Sequence, residues 1–336
     1  MKALKMDWSV TGKCRSELFG IAILAVLCIH SNEFYWPPSL NIVVKILSQG
    51  SIGVDIFLFL SGMGLYYSLR KDENIVEFYK RRILRILPIY LLTAGVGYAI
   101  VIFLLGDGNV GEYLFKLSTL SFWFTGEGTV WYISFLLIMY MVYPAVYQLR
   151  KQSFAKYGFL LLAAGVLVLE ACMIRLCPEV FLNIEAAITR IIVFLLGSYI
   201  APWIDERRNI KPGTVILWIF VFAIMRLVRI FFISPEKLYC NVFVRISNLF
   251  LTLGIVTVGA FIVDCCPELI KKFLSWFGEK SLEIYLVHAF GISVFYALPM
   301  SRRGNYVWIY FLVILPVSVL IAAGIYYVKI RITKNH

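Results

Sequence analysis

Residues 51–69 read SIGVDIFLFLSGMGLYYSL, a run with one charge, Asp55, closed by Arg70 and Lys71. A helix of about 20 mostly apolar residues crosses the roughly 30 Å hydrocarbon core of a bilayer. The run lacks the strict alternation of a half-buried strand. It therefore reads as a membrane-spanning helix. A carboxylate inside such a helix is costly in lipid, so Asp55 must face a partner or a polar cavity.

Nine further runs of this kind lie along the 336 residues. Together the ten are 17–36, 51–69, 86–105, 129–149, 157–175, 186–203, 213–234, 245–263, 281–299 and 306–328. The connecting segments are short, so an all-α, single integral-membrane domain over 1–336 is expected. Composition agrees: 61% of residues are hydrophobic and 15% charged, where a soluble domain has roughly half and about a quarter. The first run ends in His30-Ser31-Asn32-Glu33. With no small-residue cleavage site, it is read as an uncleaved span, not a signal peptide.

The net charge of +12 reads as topology and contact with anionic lipid. Scattered basic residues in short loops are a poor match to nucleic acid. With the N-terminus inside, 22 of the 32 Lys and Arg fall in inside segments and 7 outside, Arg302 and Arg303 among the latter. The positive-inside rule then places both termini in the cytoplasm.

Two segments are not simple spans. Asn74–Leu87 carries charges on one side and apolar groups on the other, and is expected to be an interfacial helix ending at Pro88. Glu112–Gly128, short, aromatic and Gly-bounded, suggests an outer interfacial or re-entrant piece. The seven cysteines have no zinc or redox spacing, though Cys177 and Cys240 fall in predicted outside loops and could pair.

Chemistry is concentrated in few residues. Of three histidines, His336 is terminal, while His30 and His288 lie inside spans. Imidazole takes and returns protons near neutrality. Asp55 matches His30 in depth and could orient it, with Glu33, three residues on, as the rival partner. The alternative is a histidine that only bonds between helices. Arg81, Arg82 and Arg85 share a helix face and suit phosphates, or else lipid headgroups. Arg226 and Arg229, with Arg190 and Glu170, imply a polar interior that holds an anion or forms ion pairs. Ser281, Tyr285 and His288 form a stripe. Ser61 lacks a G-x-S-x-G surround. There is no P-loop, H-E-x-x-H or cysteine cluster, so neither an ATPase nor a metal is expected.

Four ordered stretches carry a resemblance. They are Glu17–His30; Gly53–Gly62 with Phe78–Tyr90; Trp131-Tyr-Ile-Ser134 with Tyr140 and Tyr143-Pro144; and Phe277–His288. Over nearly its whole length the chain resembles the membrane acyltransferase 3 family, whose members O-acylate cell-surface glycans. The resemblance implies His30 as catalytic residue and Arg81, Arg82 and Arg85 as contacts for coenzyme A phosphates. It implies acyl-CoA, by default acetyl-CoA, as co-substrate and a glycan or glycolipid as acceptor. It also implies multi-pass residence in a bacterial cytoplasmic membrane. Two departures stand out. Many members carry Arg eleven residues before the histidine, where Phe19 stands here with Arg15 one turn earlier. Leu136 and Leu137 stand where some members have Glu.

The expected mechanism has His30, oriented by Asp55, removing the proton of an acceptor hydroxyl as it attacks the thioester. Glu33, Ser61, Trp131, Arg226, Arg229, Tyr285 and His288 are the candidate substrate contacts. Two alternatives remain, a transporter and a non-catalytic sensor or scaffold. Labelled acetyl-CoA given to the protein in vesicles separates them: label on glycan, solute flux, or neither.

Overall fold

A computed structural model describes residues 6–151, 155–299 and 306–334; Arg302, Arg303 and His336 lie outside them. The chain is an all-α polytopic membrane protein. Among the described residues nine helices are long and apolar enough to cross a bilayer. The shorter apolar helix Ser281–Ala297 makes the tenth expected crossing, at 17 residues or about 26 Å.

The principal helices are α1 (Arg15–His30), α2 (Ile52–Lys71), α3 (Ile75–Ala99), α4 (Trp131–Leu149), α5 (Ala155–Leu176) and α6 (Pro178–Ile188). They continue with α7 (Ile191–Asp205), α8 (Pro212–Phe232), α9 (Leu238–Cys265), α10 (Glu268–Glu279), α11 (Ser281–Ala297) and α12 (Leu315–Lys334). Ion pairs Lys13–Asp264, Arg70–Asp205 and Lys151–Glu73 gather the start of α1 and the ends of α2, α4, α7 and α9 at one basic face. At the opposite face the end of α1 meets the segments beside α11 and α12, where Val307 N donates to the carbonyl of Tyr35.

Small residues let the central helices approach closely. A Cβ on Gly62 would lie 2.0 Å from the Phe194 carbonyl oxygen, and one on Gly197 1.9 Å from that of Phe59. This is the small-residue contact expected of membrane helices, and it locks α2 to α7. Gly20 and Gly278 do the same for α1 and α10. By contrast, only 6% of the α5 and α8 spans is buried, so these two helices face lipid.

Three expectations change. The interfacial helix over 74–87 does not stop at Pro88: α3 starts where Asn74 caps Val76 N and Glu77 N, and runs through the proline to Ala99. An interior proline removes one backbone bond, a cost that membrane helices tolerate. The single span over 186–203 is broken into α6 and α7 at Thr189-Arg190, where the Thr189 hydroxyl bonds the Glu185 carbonyl and Arg190 Nη1 the Ala186 carbonyl. Cys177 and Cys240 are both free thiols, Cys240 buried. The segment over 112–128 forms two short helices, Val110–Leu117 and Leu120–Thr125, joined through Thr119 at φ 66°.

Candidate active site

Five helices each contribute one stripe to a common cavity. From α1 come Arg15, Phe19, Val26 and His30, separated by four, seven and four residues and hence on one face. From α2 come Val54, Phe57, Ser61, Gly64 and Leu65; from α3, Arg82, Arg85 and Ile86. Trp131, Tyr132, Leu136 and Tyr140 of α4 and Ser281, Leu282 and Tyr285 of α11 complete it. Arginines crowd the basic end and His30 stands at the other.

His30 is partly exposed, and its Nδ1 lies 2.5 Å from a Glu33 carboxylate oxygen. A carboxylate only accepts, so Nδ1 carries the proton, and in the neutral ring the lone pair then sits on Nε2. The expected Asp55–His30 pair is not formed. Asp55 is buried and receives Arg190 Nε at 2.9 Å and Asn248 Nδ2 at 3.0 Å. Asn248 in turn accepts from Arg226 Nη2 at 2.7 Å. Two buried charges are tolerable here because each is paired and hydrogen-bonded. Arg190 also stands over the Trp131 ring, 5.0 Å from its centroid, so this network backs one cavity wall. Depth does not match either: Gly50 packs against Ala25 and Ile29 and Gly53 against Ala22 and Val26, so Asp55 lies deeper than His30. Its partner Arg190 stands at the turn before α7, which no spacing links to α2.

His288 is buried behind His30, their ring centroids 5.4 Å apart and nearly perpendicular. The Tyr310 hydroxyl donates to the Leu27 carbonyl and lies 3.2 Å from His288 Nε2. Tyrosine has one proton, so Nε2–H must donate to it. That leaves His288 Nδ1 with a lone pair and no partner among the described residues. A π-type turn over Tyr310–Ile314 leads into α12 at this point; Tyr310 carries no sequence signal linking it to His288.

The three-arginine patch divides. Arg82 and Arg85 line the cavity, whereas Arg81 pairs with Asp72 at 2.8 Å. That bond holds the Asp72 carboxyl below its ordinary range. Arg15 takes the third place in the cavity. Its guanidinium lies 5.1 Å from the Phe19 ring centroid and donates to the Leu60 carbonyl at 3.3 Å. Ser61, Trp131 and Tyr285 line the cavity as expected for substrate contacts. Arg226 and Arg229 do not; they lie on α8, beyond the Asp55 network.

The family model of the acyltransferase 3 group, described as an acyltransferase domain, matches residues 20–327. The chain belongs to this acyltransferase family. It is also 28% identical over 152 residues to the acyltransferase MdmB of Streptomyces mycarofaciens. That stretch is 39% of this chain and 38% of the relative. No solved structure matches. With its apolar helices, the chain is a multi-pass membrane protein of this family.

Proposed function

We propose that this acyltransferase moves an acyl group, acetyl by default, from acyl-CoA on the basic side to a hydroxyl of a glycan or glycolipid at the His30 side. The observation that carries this reading is the single cavity joining Arg15, Arg82 and Arg85 to His30. Guanidinium groups bind phosphates by forked, charge-assisted hydrogen bonds. The excess of Lys and Arg on that face supports reading it as the cytoplasmic side, where coenzyme A thioesters are made. The distance from the arginines to the histidine suits the long pantetheine arm of the donor.

In this mechanism the acceptor hydroxyl gives its proton to His30 Nε2 as its oxygen attacks the thioester carbonyl. Glu33, bonded to Nδ1–H, holds the ring in the basic tautomer and stabilises the imidazolium. The carbon–sulfur bond then breaks, and the imidazolium proton passes to the departing thiolate. The products are an ester and free coenzyme A. Tyr285 and Ser61 line the passage between the two substrates, and Trp131 is held by Arg190.

The test uses protein in vesicles with labelled acetyl-CoA supplied at the basic face and crude glycan at the other. Label in glycan ester with stoichiometric release of coenzyme A supports the reading. Hydrolysis alone, or solute flux without acylation, overturns it. The transporter reading draws on the intramembrane Arg, Glu and His; of these, Arg190 is already paired with Asp55 at the α6–α7 break.

A further inference from the structure

A second concavity lies outside the bundle, between α3 and α12, with α11 as its floor. Its outer part is lined by Val96, Gly97, Phe290, Val294, Trp308 and Val317, among others. Its inner part runs from Leu92 and Ile325, which both parts share, to Leu84, Arg85 and Lys329. The furrow follows α3 from residue 84 to residue 100, roughly 24 Å at about 1.5 Å per residue. Its wall is apolar until the basic end.

Charge selects what fits there. Lys329 is already paired with Glu283 at 2.9 Å, so it adds little net charge. Arg85 makes no ion pair or hydrogen bond with any described residue, and it stands at the mouth of the furrow. The floor beside it is kept open by Gly324: a Cβ built there meets nothing within 4 Å. An apolar trough roughly 24 Å long, ending in one uncompensated guanidinium at the interface, matches a chain with an anionic head.

We propose that this furrow is a binding site for an anionic phospholipid of the leaflet at the basic face. Its acyl chains lie along Leu92, Ile325 and Val328, and its phosphate rests on Arg85. Arg85 lines the catalytic cavity as well, and no other residue of the cavity lines the inner furrow. A bound headgroup therefore sits beside the phosphate-binding end of that cavity. That last consequence rests on the proposed donor site; the lipid site itself does not.

The experiment counts lipid retained by purified protein after exchange into nanodiscs holding equal phosphatidylglycerol and phosphatidylcholine, read by native mass spectrometry. Wild-type protein should retain the anionic lipid over the zwitterionic one by about fivefold, the preference one basic residue confers at a membrane surface. Arg85→Gln should keep a lipid but lose that preference. Gly324→Leu, which fills the trough, should retain neither. Val328→Trp fills the same trough from an exposed position and serves if Gly324→Leu does not fold. Undiminished phosphatidylglycerol on a folded trough-filling variant, or no headgroup preference in the wild type, overturns the proposal. Acyl-CoA is absent from this assay, so failure of the acyl-transfer reading would leave its result unchanged.

Discussion

Arg15 and His30 are the first and last residues of one helix, and both line the same cavity. Fifteen residues at about 1.5 Å each place them roughly 22 Å apart along α1. One rigid element thus sets the distance between the arginine end of the cavity and its histidine end. Gly20 in the same helix packs against the Leu274 backbone of α10, which fixes its depth.

Replacing His30 by Ala should remove acyl transfer by roughly 10² to 10⁴-fold, the usual worth of a positioned general base. The variant should still insert and unfold at the wild-type temperature, since His30 is partly exposed. Turnover of labelled acetyl-CoA in vesicles measures it, and a fully active His30→Ala protein excludes the imidazole from the reaction.

Glu33→Gln and Asp55→Asn should behave differently. The first touches His30 Nδ1 and should lower kcat about tenfold or more, with KM for acyl-CoA unchanged. The second leaves Arg190 buried without its counter-charge and should cost about 3–5 kcal/mol of stability. Thermal unfolding beside kinetics on the folded fraction resolves the two. Equal loss of kcat per folded molecule would restore Asp55 to the catalytic role.

The arginines should also separate. Arg82→Gln and Arg15→Gln remove groups that line the cavity, and each should raise KM for acyl-CoA about tenfold, as expected for one charge-assisted bond of about 1.5 kcal/mol. Arg81→Gln should leave KM near wild type, because its guanidinium serves Asp72. A KM series at low ionic strength decides this, and a defect as large for Arg81 as for Arg82 would contradict the division.

Gly197→Val should destabilise the bundle by about 1–3 kcal/mol or prevent its accumulation, because its Cβ would fall 1.9 Å from the Phe59 carbonyl oxygen. Gly165→Ala on the lipid-facing α5 meets nothing within 4 Å and should be neutral. Detergent-solubilised thermal unfolding of the two variants gives the comparison.

The sequence by itself determined the ten apolar crossings, the basic bias of one face, and the two intramembrane histidines. These follow from local quantities: the length of an apolar run, the count of lysines and arginines beside it, and the cost of an ionisable group in hydrocarbon. The stripe Arg15–Phe19–Val26–His30 was equally present in its spacing, since residues four and seven apart share a helix face.

Only the tertiary structure decided partners. Residue counting offered both Asp55 and Glu33 to His30, but the packing of α1 on α2 sets Asp55 deeper. The turn between α6 and α7 brings Arg190 to it, 135 residues away in the chain, and Glu33 is left to the imidazole. Likewise Arg81, Arg82 and Arg85 are alike in sequence, and the turn at Asp72 draws the first out of the cavity. Helical periodicity states which side chains share a face; which neighbour that face meets depends on how helices pack, through contacts such as Gly62 against Phe194 that no local pattern encodes.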